Sequence, residues 1–300
     1  MANKGTVLVT GGGGFIGSHT ADALSAAGYK VRIFDRQPSP YLAAGQEMIV
    51  GDVTDAAALS KAAKDCDYLY HFAGIADIET AEKCPAETCR VNIEGTINAL
   101  EAAHKNNLKR FVFASSVYVY SDQGGFYRVS KQACENYIEN YQKIFGVDYT
   151  ILRYGSLYGR RSGPTNGINR LIHSGIEKGE IVYNGHPEAV REYIHVTDAA
   201  RLSVDILADE YANRHMILTG NERIRVSDLM KMMSEMMPHR PETKFGEVNL
   251  SAHYVATPHS YTPKMGHKLI RNDHVDMGQG LLDCISEFHE RAAHQKKAMA

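Results

Sequence analysis

In the first half of the chain, short apolar runs rich in β-branched and aromatic side chains alternate with longer stretches whose apolar residues recur at helical spacing. The runs Thr6 to Thr10, Lys30 to Asp35, Met48 to Asp52, Tyr68 to Phe72, Phe111 to Ser115 and Tyr149 to Leu152 read as strands. Between them, Ile16 to Ala27, Ala56 to Lys64, Glu87 to His104 and Val129 to Phe145 read as helices. Strands with no polar face must be covered on both sides, so the alternation predicts an α/β fold of βαβ units around a doubly wound parallel sheet. After Tyr154, glycines, prolines and charges interrupt the pattern, and helical spacing returns at Asn169 to Lys178, Thr197 to Leu207 and Val226 to Met237. This predicts a main domain over residues 1–154, to which 190–208 return as a late strand and helix. Residues 155–189 and 209–300 are left for a smaller C-terminal α/β lobe.

At 300 residues and 44% hydrophobic, the chain can bury one large core and a smaller one. A formal net charge of -2 provides no broad positive field, which argues against nucleic acid as a partner. No run has the length of a membrane span or the make-up of a secretory signal, and the five cysteines are odd in number and lack paired CxxC spacing. They read as reduced thiols, so the expected setting is the cytoplasm, away from membranes. The 14 histidines include no HExxH and no His/Cys cluster at ligand spacing, so no metal is expected.

The segment TGGGGFIG, Thr10 to Gly17, falls directly after a predicted strand and directly before a predicted helix. In that context Gly11 permits a tight turn, Gly14 lets the backbone approach a pyrophosphate, and Gly17 lets the helix pack against the strand. The helix N-terminus adds unpaired N–H groups and partial positive charge. The strand before and the helix after favour the phosphate loop of a Rossmann dinucleotide site over a flexible glycine turn, which the composition alone would also allow. Asp35, at the end of the next strand, can accept hydrogen bonds from both ribose hydroxyls, which favours NAD, while Arg36 beside it can instead receive a 2′-phosphate. Asp52 and Val53 suit the adenine edge, although Asp52 or Thr54 can equally serve as a helix cap.

Tyr127 and Lys131 lie four residues apart at the start of a predicted helix and so share a face. A phenol with a pKa near ~10 needs neighbouring positive charge to act as a base at neutral pH, and a lysine with the nicotinamide ring can supply it. Taken as a bare pair, this spacing also fits an ordinary solvated helix face. Ser115 and Ser116 end the fifth strand at the sheet edge, where either hydroxyl can meet a reacting oxygen or merely form a turn. Asn92 sits inside a helical pattern that disfavours asparagine, which marks it as ordering a water or the lysine, or as a kink.

Together these motifs resemble the extended short-chain dehydrogenase/reductase superfamily, in particular its NAD-dependent nucleotide-sugar epimerase and dehydratase branch. The resemblance runs from about Thr6 to Ala200 and includes HFAG at His71 to Gly74, VNIEGT at Val91 to Thr96, FASSVYVY at Phe111 to Tyr120, YRVSK at Tyr127 to Lys131, RYGSLYG at Arg153 to Gly159 and REYIHVTDAA at Arg191 to Ala200. It implies that Tyr127 is the acid/base, that Lys131 lowers its pKa and binds the nicotinamide ribose, and that Ser116 aligns the sugar hydroxyl. It also implies cofactor contacts from Phe15, Ile16, Phe72, Ala73, Gly74, Asn92 and Tyr154, and substrate contacts from Ser115, Ser156 and Arg191, the last on the diphosphate. The implied activity is 4-epimerisation of a nucleotide-diphosphate sugar through a transient 4-keto sugar. Net oxidation or reduction of a small carbonyl substrate with exchangeable NAD(P) is the alternative, and a non-catalytic dinucleotide sensor the third reading.

Departures from the family pattern narrow this. Val117 and Tyr118 stand where 4,6-dehydratases carry an Asp-Glu pair, which disfavours dehydration, and the lack of a glutamate there also weighs against decarboxylation. The connection between Ser116 and Tyr127 is shorter than the usual proline-containing loop, Ser156 replaces a frequent asparagine, and YTPKMGHKL only loosely follows the closing motif. By resemblance, the helices Glu87 to His104 and Val129 to Phe145 pair across a two-fold axis as a four-helix bundle, which predicts a homodimer.

Overall fold

The strand-like runs of the first half all enter one parallel sheet in the computed structural model, which describes residues 4–246 and 254–259. They form β1 (Thr6–Thr10), β2 (Lys30–Asp35), β3 (Glu47–Val50), β4 (Tyr68–His71), β5 (Arg110–Ser116) and β6 (Tyr149–Tyr154). Intervening helices are α1 (Phe15–Ala26), α2 (Ala56–Ala62), α3 (Ile78–Lys83), α4 (Pro85–Thr88), α5 (Gly95–Lys105) and α6 (Gly125–Phe145). The side-chain alternation of β1 explains the two-sided cover. Leu8 packs with Phe34, Leu69 and Phe111 in one layer, while Val7 and Val9 pack with Leu24, Tyr70 and Leu152 in the other. Each such buried aliphatic side chain contributes on the order of 2 kcal/mol of transfer free energy.

The smaller lobe holds β7 (Ser156–Tyr158), α7 (Gly167–Lys178), β8 (Glu180–Tyr183), β9 (Val190–His195), β11 (Arg223–Arg225), α9 (Val226–Met236) and β12 (Glu242–Phe245). Here β9 lies between β7 and β11, β8 pairs with β12, and Leu171, Ile181, Val226 and Met230 form a separate core. Two expectations about the boundary need correction. Of residues 190–208, α8 (Val196–Asp205) joins the main core through Ala199, and β9 reaches that core only through Ile194 while its strand pairing stays within the lobe's sheet. In turn β10 (Arg214–Leu218), expected in the lobe, pairs in parallel with β6 and completes the main sheet in the order β3-β2-β1-β4-β5-β6-β10.

The helix expected over Glu87 to His104 is interrupted. Cys89–Glu94 form a π-helical turn between α4 and α5, and this wider turn carries Asn92 into the interior. The short connection between Ser116 and Tyr127 is a tight 3₁₀ turn at Val117–Tyr120, fastened by Gln132 Nε2 donating to the Val119 carbonyl at 2.7 Å and by Arg128 donating to the Ser121 carbonyl at 3.0 Å. As a result α6 starts at Gly125, early enough to include Tyr127.

Candidate active site

The glycine run turns where β1 hands over to α1. Gly11 has φ 69°, and a Cβ on it would lie 2.6 Å from the Ala73 backbone nitrogen, so the turn requires glycine. At Gly17 a Cβ would fall 2.2 Å from the Gly11 carbonyl oxygen, which is how α1 lies so close on the loop. Gly14 caps α1 with no side-chain hydrogen bond, and no acidic residue sits in the first turn, so the helix end suits an anion. Asp35 Oδ2 accepts the Gly13 N–H at 3.0 Å, which fixes the carboxylate beside the loop.

A cleft of about 190 Å³ opens at the carboxyl ends of β1, β2 and β4, where the strand order reverses. Gly11, Gly14, Asp35, Arg36, Asp52, Val53, Phe72, Ala73 and Gly74, all expected at the cofactor, line it together. A dinucleotide fits this cradle: the Gly11–Gly14 turn would hold the pyrophosphate, Asp35 the adenosine ribose, and Asp52 and Val53 the base. Asp52 Oδ1 also accepts from the Thr54 N–H and hydroxyl at 2.9 and 2.8 Å, contacts that hold its carboxyl below the usual carboxylate range. The cap of α2 is Asp55, not Asp52 or Thr54.

Several residues expected at the cofactor also make contacts within the fold. Phe15 and Ile16 start α1 outside the cleft lining, with Phe15 edge-on to His19 and Ile16 packed on the main core. Asn92 accepts the Ile75 N–H at 2.7 Å and donates to the Ile75 carbonyl and the Ser130 hydroxyl at 3.0 and 2.9 Å. It therefore ties the cleft wall to α6. The Tyr154 hydroxyl meets Ser203 Oγ at 2.5 Å and anchors β6 to α8. Arg161 forms an ion pair with Asp22 at 2.8 Å, and the His19 ring bonds the Arg160 carbonyl at 2.9 Å.

Beyond the cleft, Tyr127 and Lys131 stand one turn apart on α6. Lys131 is 6% exposed; its Nζ donates to the Ala114 carbonyl at 2.7 Å, lies 4.7 Å over the Phe113 ring and 5.8 Å from the centre of the Tyr127 ring. Burial lowers its pKa. The neighbouring Ser116 hydroxyl pulls the Tyr127 phenol's pKa down, but burial dominates and pushes it up to about 12. The anticipated lowering is thus not a property of the chain's own groups, which keep the phenol protonated at neutral pH. Ser115 points to the other face of β5 from Ser116, as strand alternation requires, and donates to Glu135 Oε1 at 2.5 Å. Glu135 is held in turn by Arg153 at 2.6 Å.

Arg191, on β9, is 7% exposed with its guanidinium 4.5 Å over the Tyr254 ring. The Tyr254 hydroxyl lies 3.5 Å from Ser156 Oγ, and its ring lies 4.7 Å from that of Tyr118, which sits edge-on to Tyr127 at 6.3 Å. Ser156 and Arg191 are thereby linked to the phenol by two aromatic side chains.

The model of the NAD dependent epimerase/dehydratase family matches residues 7–218, most of the chain and every element just described except the later part of the lobe. The chain belongs to this family. Among its relatives, the UDP-glucose 4-epimerase uge1 of Schizosaccharomyces pombe is 32% identical over 72% of this chain and 73% of its own. A UDP-N-acetyl-alpha-D-glucosaminuronate decarboxylase of Bacillus cytotoxicus is 30% identical over 73% of this chain and 76% of its own. The crystal structure of UDP-glucuronic acid 4-epimerase from Bacillus cereus, in complex with UDP-glucuronic acid and NAD, superposes with a TM-score of 0.77 at 25% identity, covering 87% of this chain and 95% of that one.

Within this family member, the residues that sequence reasoning missed are Tyr118 and Tyr254. Tyr118 could be read only as the absence of an acidic pair; its packing against Gly124, where a Cβ would meet its ring at 2.6 Å, depends on the tight turn. Tyr254 follows no motif, and only the fold brings it to Arg191. YTPKMGHKL lies wholly outside the described residues.

Proposed function

We propose that this protein is an NAD-dependent 4-epimerase of nucleotide-diphosphate sugars, acting through a transient 4-keto sugar. The observation that carries the reading is the Ser116–Tyr127–Lys131 group, standing next to a cleft whose glycine turn and Asp35 match a dinucleotide. NAD, when bound, supplies the acceptor and later the donor of hydride at C4. The Tyr127 phenol holds the proton exchanged with the sugar oxygen, and the Ser116 hydroxyl orients that oxygen. Lys131, a buried cation beside the ring, favours the phenolate whenever it forms. Arg191 holds the diphosphate while the sugar turns to present its other face. With Val117 and Tyr118 after Ser116, the site offers no paired carboxylate for elimination of water.

The test is turnover by purified protein with UDP-, GDP-, CDP- and dTDP-sugars and no added cofactor, followed by identification of the dinucleotide released on denaturation. Interconversion at C4 is expected, with Tyr127→Phe slower by about 10²–10⁴-fold. A stoichiometric demand for external NAD(P), with NADH accumulating, would replace epimerisation with net redox.

The assembly we propose is a homodimer through α5 and α6, as a four-helix bundle. Phe126, Val129, Tyr137, Ile144 and Phe145 leave α6 with exposed apolar side chains that such an interface would cover. Light scattering should give twice the chain mass at micromolar concentration; a monomer mass contradicts it. A cytoplasmic setting agrees with the unpaired thiols of Cys66, Cys84, Cys89 and Cys134.

A further inference from the structure

Arg191 is a nearly buried cation that makes no salt bridge to any carboxylate among the described residues. Its Nη1 donates to the carbonyls of Val190 and Val255, both at 3.1 Å, and these are its only hydrogen bonds among the described residues. The guanidinium carbon sits 4.5 Å from the centre of the Tyr254 ring. A guanidinium lying over an aromatic face directs its N–H groups edgewise. With the Nη1 edge anchored, Nε and Nη2 form the remaining edge, a two-pronged donor that matches two phosphate oxygens.

The aromatic platform is itself fixed to β9. Val190 donates to the Val255 carbonyl at 2.7 Å, the Glu192 N–H to Thr257 Oγ1 at 3.2 Å, and His259 meets Glu192 Oε1 at 3.1 Å. Tyr118 supports the ring from beside it, and Tyr254 is only 6% exposed. We infer that Tyr254 is a positioning residue for Arg191, setting the free edge of its guanidinium toward the diphosphate of the nucleotide sugar. The inference rests on the nucleotide-sugar reading above and assigns to the segment after β12 a part in substrate affinity. Its physical basis is pre-organisation: a side chain already held in its binding orientation loses little freedom when the ligand arrives.

Calorimetric titration of the cofactor-loaded protein with UDP, GDP, CDP and dTDP identifies the tightest nucleoside diphosphate, which then serves as the probe. Tyr254→Phe keeps the ring and should bind within about twofold of wild type, whereas Tyr254→Leu should bind about tenfold more weakly or worse. Retained dinucleotide should be equal in all of them. In an Arg191→Met background, Tyr254→Leu should cause no further loss, because the platform has nothing left to hold. If Tyr254→Leu does not fold, Tyr254→Met carries the same expectation. A Leu or Met variant with wild-type affinity, or single losses that multiply in the double variant, overturns the positioning role alone. Failure of the wild type to bind any of the four overturns the nucleotide-sugar reading first.

Discussion

In the proposed reaction Tyr127 exchanges a proton near neutral pH, yet burial pushes its pKa up to about 12, so the balance between enclosure and neighbouring positive charge would decide its reactivity. Lys131 is the cation beside it in the chain. Replacing it with methionine removes charge that favours the phenolate, so the phenol's pKa in the working enzyme should rise further. The Lys131→Met enzyme should therefore be slower at neutral pH and regain part of its rate as pH increases. A kcat profile displaced toward lower pH would contradict that role. His71 behaves in the opposite sense. Its ring lies between Phe111 and Phe113, with Nδ1 2.8 Å from Thr10 Oγ1, and burial pushes its pKa down to about 3. The unfolded chain, with an ordinary imidazole near ~6.5, takes up a proton that the folded state refuses. Stability from this residue is complete above pH ~6.5 and falls as pH drops toward 3, with an upper bound of a few kcal/mol. His71→Leu should flatten the acid side of the Tm-against-pH curve; an unchanged slope between pH 7 and 5 would show that other groups set it.

Among elements, the join of β5, β6 and α6 depends on a buried ion pair. Glu135 on α6 accepts from Arg153 on β6 and Ser115 on β5, and Arg153 also donates to the Tyr120 hydroxyl. Arg153→Met leaves a buried carboxylate without its cation and should reduce stability by about 3–5 kcal/mol, partly restored in the double variant with Glu135→Gln. Urea midpoints of wild type and the two variants check this; equal midpoints for the single and double variants would deny the coupling. At this scale the sequence was most informative where periodicity and local chemistry agree. The bounds of β1 and β2 follow directly from their apolar runs, and the glycine loop and Asp35 could be placed because a strand and a helix flank the loop. The π-helical turn left only an indirect trace, an asparagine out of place in a helix, because the partners that satisfy Asn92 come from Ile75 and Ser130. The hydrogen bonds of Tyr154 to Ser203 and of Ser115 to Glu135 were illegible for a related reason: a strand end shows that a side chain is near the site, and only packing shows which face it takes. Tyr254 carried no local signal at all.

For the whole molecule, the path of the chain matters more than the boundary between its lobes. The chain leaves the main sheet after β6, builds part of the smaller lobe, and returns through α8 and then β10. Ala199 and Ile206, with Leu218, cover the layer formed by Val7, Val9, Leu24 and Tyr70. β10 escaped the sequence reading because RHMIL opens with two polar residues and follows a loop-like stretch. Its placement means that the half carrying the glycine turn, the ribose carboxylate and the tyrosine-lysine pair is not a detachable module. A fragment ending at residue 154 keeps every side chain that lines the dinucleotide cleft but leaves one face of its sheet covered by α1 without α8. Such a truncation should stay aggregation-prone and lack a cooperative melt, whereas one extended to residue 218 has the missing cover encoded within it. On a ribosome the same geometry postpones a finished dinucleotide half until about three quarters of the chain has emerged.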